Sequence, residues 1–121
     1  EVEPDGRLRG GPLEARWRKL CLNSPYVEYV SEQTQEVLAT LPTDGLFFDI
    51  IHQGQCCCRS CLVAMQQQGY NPEREGDRRR FARSVLDRLR ERIAAEVRRV
   101  QPHCGLFWNS GHVDPGFRPV L

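Results

Sequence analysis

The stretch FFDIIHQGQCCCRSC, residues 47–61, ends an apolar run in an acid, Asp49, and then gathers Cys56, Cys57, Cys58 and Cys61. Thiolates at 56, 58 and 61 are spaced so that one loop can supply three ligands to a tetrahedral metal ion without strain. On that reading Cys57 points away. The same residues have plainer uses. Cysteines are often small buried hydrophobes or inert free thiols. Cys58 and Cys61 could also form a redox pair, with Arg59 lowering a thiol pKa, although thioredoxin-like surroundings are absent. Disulfides among such close neighbours are disfavoured, because the bridge needs separated, facing Cβ vectors. With Cys21 and Cys104 far off in the chain, the pattern favours a reducing compartment, and a cytoplasmic location is expected.

The elements that must position these residues can be read from periodicity and punctuation. Residues 1–20 carry Pro4, Gly6, Gly10, Gly11 and Pro12 and are expected to form an irregular arm. Ser24 as N-cap, Pro25 at the first helical position and Pro42 as terminator predict a helix over about 25–41. Its expected apolar positions are Tyr26, Val30, Val37 and Leu41 with Val27, Thr34 and Leu38. LFFDII (46–51) and CGLFWN (104–109) are short, apolar on both faces and bounded by turn residues, as buried parallel strands are. Between them a short helix is expected near 60–68, ended by Gly69. A long helix after Asp77 carries Phe81, Ala82, Val85, Leu86, Leu89, Ile93, Val97 and Val100 on one stripe, with Glu96 at its margin.

Helix, strand, helix pair, strand is an α/β crossover with parallel strands. Two strands leave every edge unpaired, so a slice of a larger domain is expected. The parent is a (β/α)8 TIM barrel, of which residues 21–121 would be a partial segment; a doubly wound open sheet is the alternative. That the first residue is Glu1 and not Met agrees with a piece of a longer chain. In such topology the loop after the first strand and the turn before the first helix both lie at the C-terminal end of the strands. Cys21 therefore joins Cys56, Cys58 and Cys61 there as the fourth ligand of a four-cysteine structural zinc site, whereas Cys104 starts the second strand at the opposite end.

KLCLNSPYVEYV (19–30) together with DGLFFDIIHQGQCCCRSC (44–61) resembles hypothetical glycosyl hydrolase group six, which is related to the family forty-two β-galactosidase barrels. The resemblance runs over about 17–112. It implies a carbohydrate-active hydrolase with a structural zinc near the active-site end, held by a Cys in a C-P-N-S-P stretch and by a later C-x-C-x-x-C. Cys21, in CLNSP, matches the first; Cys56, Cys58 and Cys61 match the second. The chain departs from the pattern where those enzymes carry an Asn-Glu pair. Aligned on Asp49, Ile50 and Ile51 stand there, so the acid/base is not in this strand.

Asp49 remains as the catalytic candidate, at a strand end where barrels build active sites. Glycoside hydrolysis usually takes two carboxylates, and this chain offers one at such a place. Asn109, His52 and His112 are the candidate substrate contacts, each with a solvated-loop role as the plainer option; Asp114 and Trp17 are weaker still. Of Phe107 and Trp108, alternation sends one to the barrel interior and one toward a helix. The functional expectation is a glycoside hydrolase fragment, with a carbohydrate substrate and the rest of the barrel, or further copies, as partners. The alternative is a non-catalytic zinc-stapled module for carbohydrate binding or assembly.

Charge excludes other classes. The net charge of +1 gives no global attraction to nucleic acid or anionic membranes. The ten arginines of 74–99 are interspersed with acids at i, i+4 spacing, which reads as a solvated helix face and not a phosphate-binding stripe. No apolar run approaches the ~20 residues of a membrane span.

Overall fold

The computed structural model describes residues 1–10 and 18–109. Its elements are α1 (Tyr26–Thr40), β1 (Gly45–Phe48), α2 (Arg59–Gln67), α3 (Glu75–Val100) and β2 (Gly105–Trp108). This is mixed α/β architecture. β1 and β2 form one parallel pair with Gly45 opposite Gly105 and Phe48 opposite Trp108. The chain divides into two compact units. One comprises Glu1–Tyr26 and Gln53–Leu86; the other comprises Val27–His52 and the chain from Asp87 onward.

In the first unit the buried apolar residues are Cys21, Leu22, Cys56, Cys57, Cys61, Met65, Phe81, Ala82 and Val85. α2 is ended by Gly69 as expected: at φ 76 it takes a left-handed turn, and Tyr70 N–H closes back onto the Met65 carbonyl at 2.9 Å. α3 starts at Glu75, three residues earlier than the expectation that placed its start after Asp77. Asp77 lies inside the first turn and is buried. Its Oδ2 accepts the Asn71 N–H at 2.9 Å and its Oδ1 accepts from Arg80. An acid in the first helical turn is favoured by the unpaired N–H groups there, so the carboxylate serves the loop before it from within the helix.

In the second unit the buried set is Ser31, Thr34, Leu38, Leu89, Ile93, Ala94, Val97 and Trp108. α1 has nearly the expected span, with Ser24 Oγ accepting the Tyr26 N–H at 3.3 Å. Its buried stripe is Ser31, Thr34 and Leu38, however, and Leu41 is exposed beyond the helix end. The polar Ser31 can sit inside because its hydroxyl donates to Glu96 Oε2 at 2.6 Å. Glu96 also takes Arg92 Nε at 3.0 Å, and Arg92 reaches both Glu28 oxygens at 2.7 and 2.6 Å. Charge pairing of the kind the arginine spacing predicts recurs at Arg79–Glu75, 2.6 Å apart.

Both strands are shorter than their apolar runs. β1 stops at Phe48 because Ile50 has φ 53, left-handed backbone that a β-branched residue rarely adopts. Asn109 N–H bonds the Phe48 carbonyl at 2.9 Å, as continued parallel pairing requires. The Asn109 carbonyl then accepts from Ile51 at 3.0 Å where a regular ladder would use Ile50. One residue has been inserted, so the end of β1 is bulged. On the pair, Phe48 and Trp108 stack at 4.5 Å and Trp108 is buried, whereas Phe47 and Phe107 are 61% and 70% exposed.

Candidate metal centre and strand-end site

Cys58 is the N-cap of α2, with extended backbone at φ −65 and ψ 162. The chain therefore enters the helix through Cys58, and Cys61 follows in the first turn. This is why a C-x-x-C spacing places two thiols together: N-cap and N3 side chains both lie at the helix N-terminus. The unpaired N–H groups there favour thiolates, and no acid occupies that first turn. Cys56 lies two residues upstream in the same loop. Cys21 comes from the turn before α1, held by Ser24, whose hydroxyl donates to the Cys21 carbonyl at 2.6 Å.

The Sγ atoms of Cys21, Cys56, Cys58 and Cys61 all lie within 4.8 Å of one another. Cys21 and Cys61 are 3.3 Å apart, and Cys21 and Cys58 are 3.8 Å apart. A tetrahedral ion with metal–sulfur bonds of about 2.3 Å sets its sulfurs ~3.8 Å from each other. The four thiols can hold a metal ion. All six cysteines are free, and neither Cys57 nor Cys104 belongs to the cluster. Cys57 is buried, which pushes its thiol pKa up.

Hydrogen bonding among the thiols divides their protonation. The Cys21 thiol is raised to about 12, chiefly by its bond to Cys56, and Cys61 is raised by Cys21 and then Cys56. Cys56 is lowered by accepting from Cys21 and Cys61. A dication held by the four sulfurs would favour the thiolate form of its ligands.

Further donors aim at the sulfurs. Val2 N–H reaches Cys56 Sγ at 3.3 Å and Asn23 N–H reaches Cys21 Sγ at 3.4 Å. The Asn23 side-chain amide lies 3.8 Å from Cys61 Sγ and also donates to the Ser60 carbonyl at 3.1 Å. Gln53 is buried; its Oε1 accepts the Leu22 N–H at 2.7 Å, and its Nε2 faces Cys21 Sγ at 3.7 Å and the Gly54 carbonyl at 3.1 Å. Gln53 thus ties the Cys21 turn to the cysteine loop. Sequence reasoning passed over Gln53 and Val2, because a lone glutamine and a backbone N–H leave no pattern.

Asp49 and Asn109, expected separately, are joined: Asn109 Nδ2 donates to Asp49 Oδ1 at 2.7 Å. The same oxygen accepts the Ile50 N–H at 3.1 Å, so the inserted residue turns its amide onto the acid. Both side chains are on exposed residues at the C-terminal ends of β1 and β2. His52 is exposed in the loop after β1. His112, Asp114 and Trp17 lie outside the described residues.

No protein-family model matches the chain, and no curated protein does. Among solved structures it is similar to alpha-L-fucosidase isoenzyme 2 from Paenibacillus thiaminolyticus, at 30% identity and a TM-score of 0.86. The match covers 96% of this chain and 18% of that one. The chain therefore spans less than a fifth of the fucosidase's length. The likeness supports a relation to glycoside hydrolases, as the motifs led one to expect, and does not reach the narrower group-six or family-forty-two assignment. Among the described residues no helix is long and apolar enough to cross a membrane.

Proposed function

We propose that this chain is a segment of a glycoside hydrolase built on a (β/α)8 barrel, with a structural zinc in its cysteine cluster and Asp49 on the rim where a glycoside binds. The observation that carries the reading is the fucosidase likeness across nearly the whole chain. By that likeness the substrate class is a glycoside such as an α-L-fucoside.

The zinc proposal draws on the thiol spacing and on the N–H donors around it. When bound, zinc would supply positive charge and a cross-link between the Cys21 turn and the cysteine loop. Four thiolates fill a tetrahedral shell and leave no position for water or substrate, so the site is structural. Cys21, Cys56, Cys58 and Cys61 would hold the ion. The free thiols also favour a reducing compartment, the cytoplasm.

At the strand ends, the Asn109 amide and the Ile50 N–H fix one oxygen of Asp49. Asp49 Oδ2 is the oxygen to offer to a sugar hydroxyl or to the reacting carbon. β2 ends in an amide and not a second carboxylate, so the partner acid that hydrolysis requires is assigned to the remainder of a longer protein. His52 and His112 are further candidate contacts.

The test is hydrolysis and binding of aryl α-L-fucosides, then of other aryl glycosides, by the intact protein and its Asp49→Asn form. We expect kcat/KM to fall at least ~10-fold in the variant, and more where Asp49 takes part in proton transfer. Unchanged kinetics would remove Asp49 from the site. Failure of the intact protein to bind or cleave any glycoside would overturn the enzymatic reading and leave the zinc-stapled module.

A further inference from the structure

The arm expected at 1–20 begins as a formed hairpin. Glu3 and Arg7 flank Pro4-Asp5-Gly6, with Glu3 N–H bonded to the Arg7 carbonyl at 2.8 Å and Gly6 N–H to the Glu3 carbonyl at 2.9 Å. Val2 and Leu8 pair antiparallel across it, and Arg9 N–H reaches the Glu1 carbonyl at 3.1 Å. A three-residue loop closing on a left-handed glycine is a recurrent hairpin form.

Three bonds attach this hairpin to consecutive parts of the cysteine loop. Glu1 Oε1 accepts the Gly54 N–H at 2.8 Å, the Val2 carbonyl accepts the Cys57 N–H at 2.8 Å, and Val2 N–H donates to Cys56 Sγ at 3.3 Å. The Glu1 side chain is 0% exposed and lies 3.1 Å from Arg9 Nη1, while Arg9 Nε bonds Glu3 Oε1 at 2.7 Å. A fully buried carboxylate is costly unless it is paired and hydrogen-bonded. Here Arg9 pairs with it by charge at Oε2 and the Gly54 amide donates to Oε1, while Oε2 itself accepts no hydrogen bond. The fit is close at Gly54. A Cβ there would lie 2.2 Å from Arg9 Nη1 and 2.3 Å from Glu1 Oε2, so an added methyl group would push these two side-chain ends off the loop.

We infer that residues 1–9 are a strap that positions Cys56 and shields the cysteine centre, setting how fast it exchanges metal and meets thiol reagents. The strap supplies no ligand. It donates an N–H to one sulfur and covers the loop that carries it, as outer-shell groups around metal ligands do. Its metal arm rests on the zinc reading above; its thiol arm does not.

The experiment uses the intact protein with Arg9→Gln and Gly54→Ala, the first releasing the ion cluster and the second displacing the Glu1 and Arg9 side chains from the loop. Arg9→Lys serves as the charge-conserving control. Zinc transfer to a colorimetric chelator should quicken about 10-fold in Arg9→Gln, the lower end of what outer-shell changes cost in affinity, with Arg9→Lys in between. In metal-free, reduced protein, iodoacetamide labelling resolved by mass spectrometry should accelerate at Cys56 and Cys57 and stay unchanged at Cys104. Unchanged labelling at Cys56 and Cys57 would overturn the strap. So would equal acceleration at Cys104, which is general loosening. A protein that takes up no zinc would bring down the zinc reading alone, and the labelling would still decide the strap.

Discussion

Cys57 stands between two candidate ligands and yet faces away from them. Successive side chains in extended backbone alternate in direction, so Cys56 and Cys58 can converge only if Cys57 diverges, and its N–H is committed to the Val2 carbonyl. This division was legible in the sequence, because C-x-C-x-x-C carries its own geometry once a helix is known to begin after Cys58. What the sequence hid were the donors around the sulfurs. The Asp5-Gly6 dipeptide between Val2 and Leu8 was the one signal that could have revealed the hairpin. At this scale the prediction is a ligand test. Cys21→Ser or Cys58→Ser should reduce zinc from about one per chain to a small fraction, measured by elemental analysis of reduced protein. The melting temperature should fall with it by ~10 °C, equivalent to about 2 kcal/mol in a domain of this size. The matched change Cys57→Ser should leave metal content intact; equal loss of zinc in that variant would mean the spacing had been misread.

At the level of elements, helix spans followed from caps and terminators and the α3 stripe from its periodicity, but the strand ends and part of the α1 stripe did not. LFFDII reads as a six-residue strand because nothing in its composition announces a bulge. The bulge arises where Ile50 N–H turns onto Asp49 and the pairing moves on to Ile51. A non-glycine residue held left-handed costs of order 1–3 kcal/mol. Ile50→Gly should therefore leave stability within about 1 kcal/mol of the parent despite losing a large side chain, while Ile51→Gly should cost more. Denaturant melts of the two variants decide this, and a larger loss at Ile50 would show that no strain is stored there. The buried stripe of α1 was read with Thr34 and Leu38 but without Ser31, for a related reason. Ser31 looks like a surface residue until Glu96, on another helix, supplies its acceptor. Burial raises the Glu96 pKa, but the Ser31 hydroxyl and Arg92 outweigh it and hold the carboxyl below its usual value of 4.5. A carboxylate depressed in the folded state contributes stability above its unfolded pKa and loses it as pH falls through the folded one. Acid should therefore destabilise the protein progressively below about pH 4.5, and Glu96→Gln should flatten that decline. Parallel pH curves for the two proteins would remove Glu96 as a contributor.

The described residues are α/β with one parallel pair, and one face of that pair is bare. Phe47 and Phe107 stack on each other at 6.0 Å and remain mostly exposed, next to two strand edges that no other strand of the described residues covers. Exposed apolar area flanked by unpaired N–H and C=O groups is what sheets avoid when they stand alone. The sequence showed this much, since two strands cannot close a sheet. It could not show which aromatic would be left bare, because alternation gives the two faces of a strand but not which one a helix will cover. Here Trp108 took the covered side. The bare pair is the surface we assign to the remaining strands of a larger sheet. The 121-residue chain made by itself should accordingly self-associate in sedimentation velocity at tens of micromolar, and Phe47→Ser with Phe107→Ser should return it to the monomer. The same double change in a longer protein carrying the neighbouring strands should instead lower its melting temperature, since there each phenylalanine would be buried and its removal would cost about 3–5 kcal/mol. A chain that stays monomeric with both aromatics in place, and a longer protein indifferent to their loss, would together show that this face is complete as it stands.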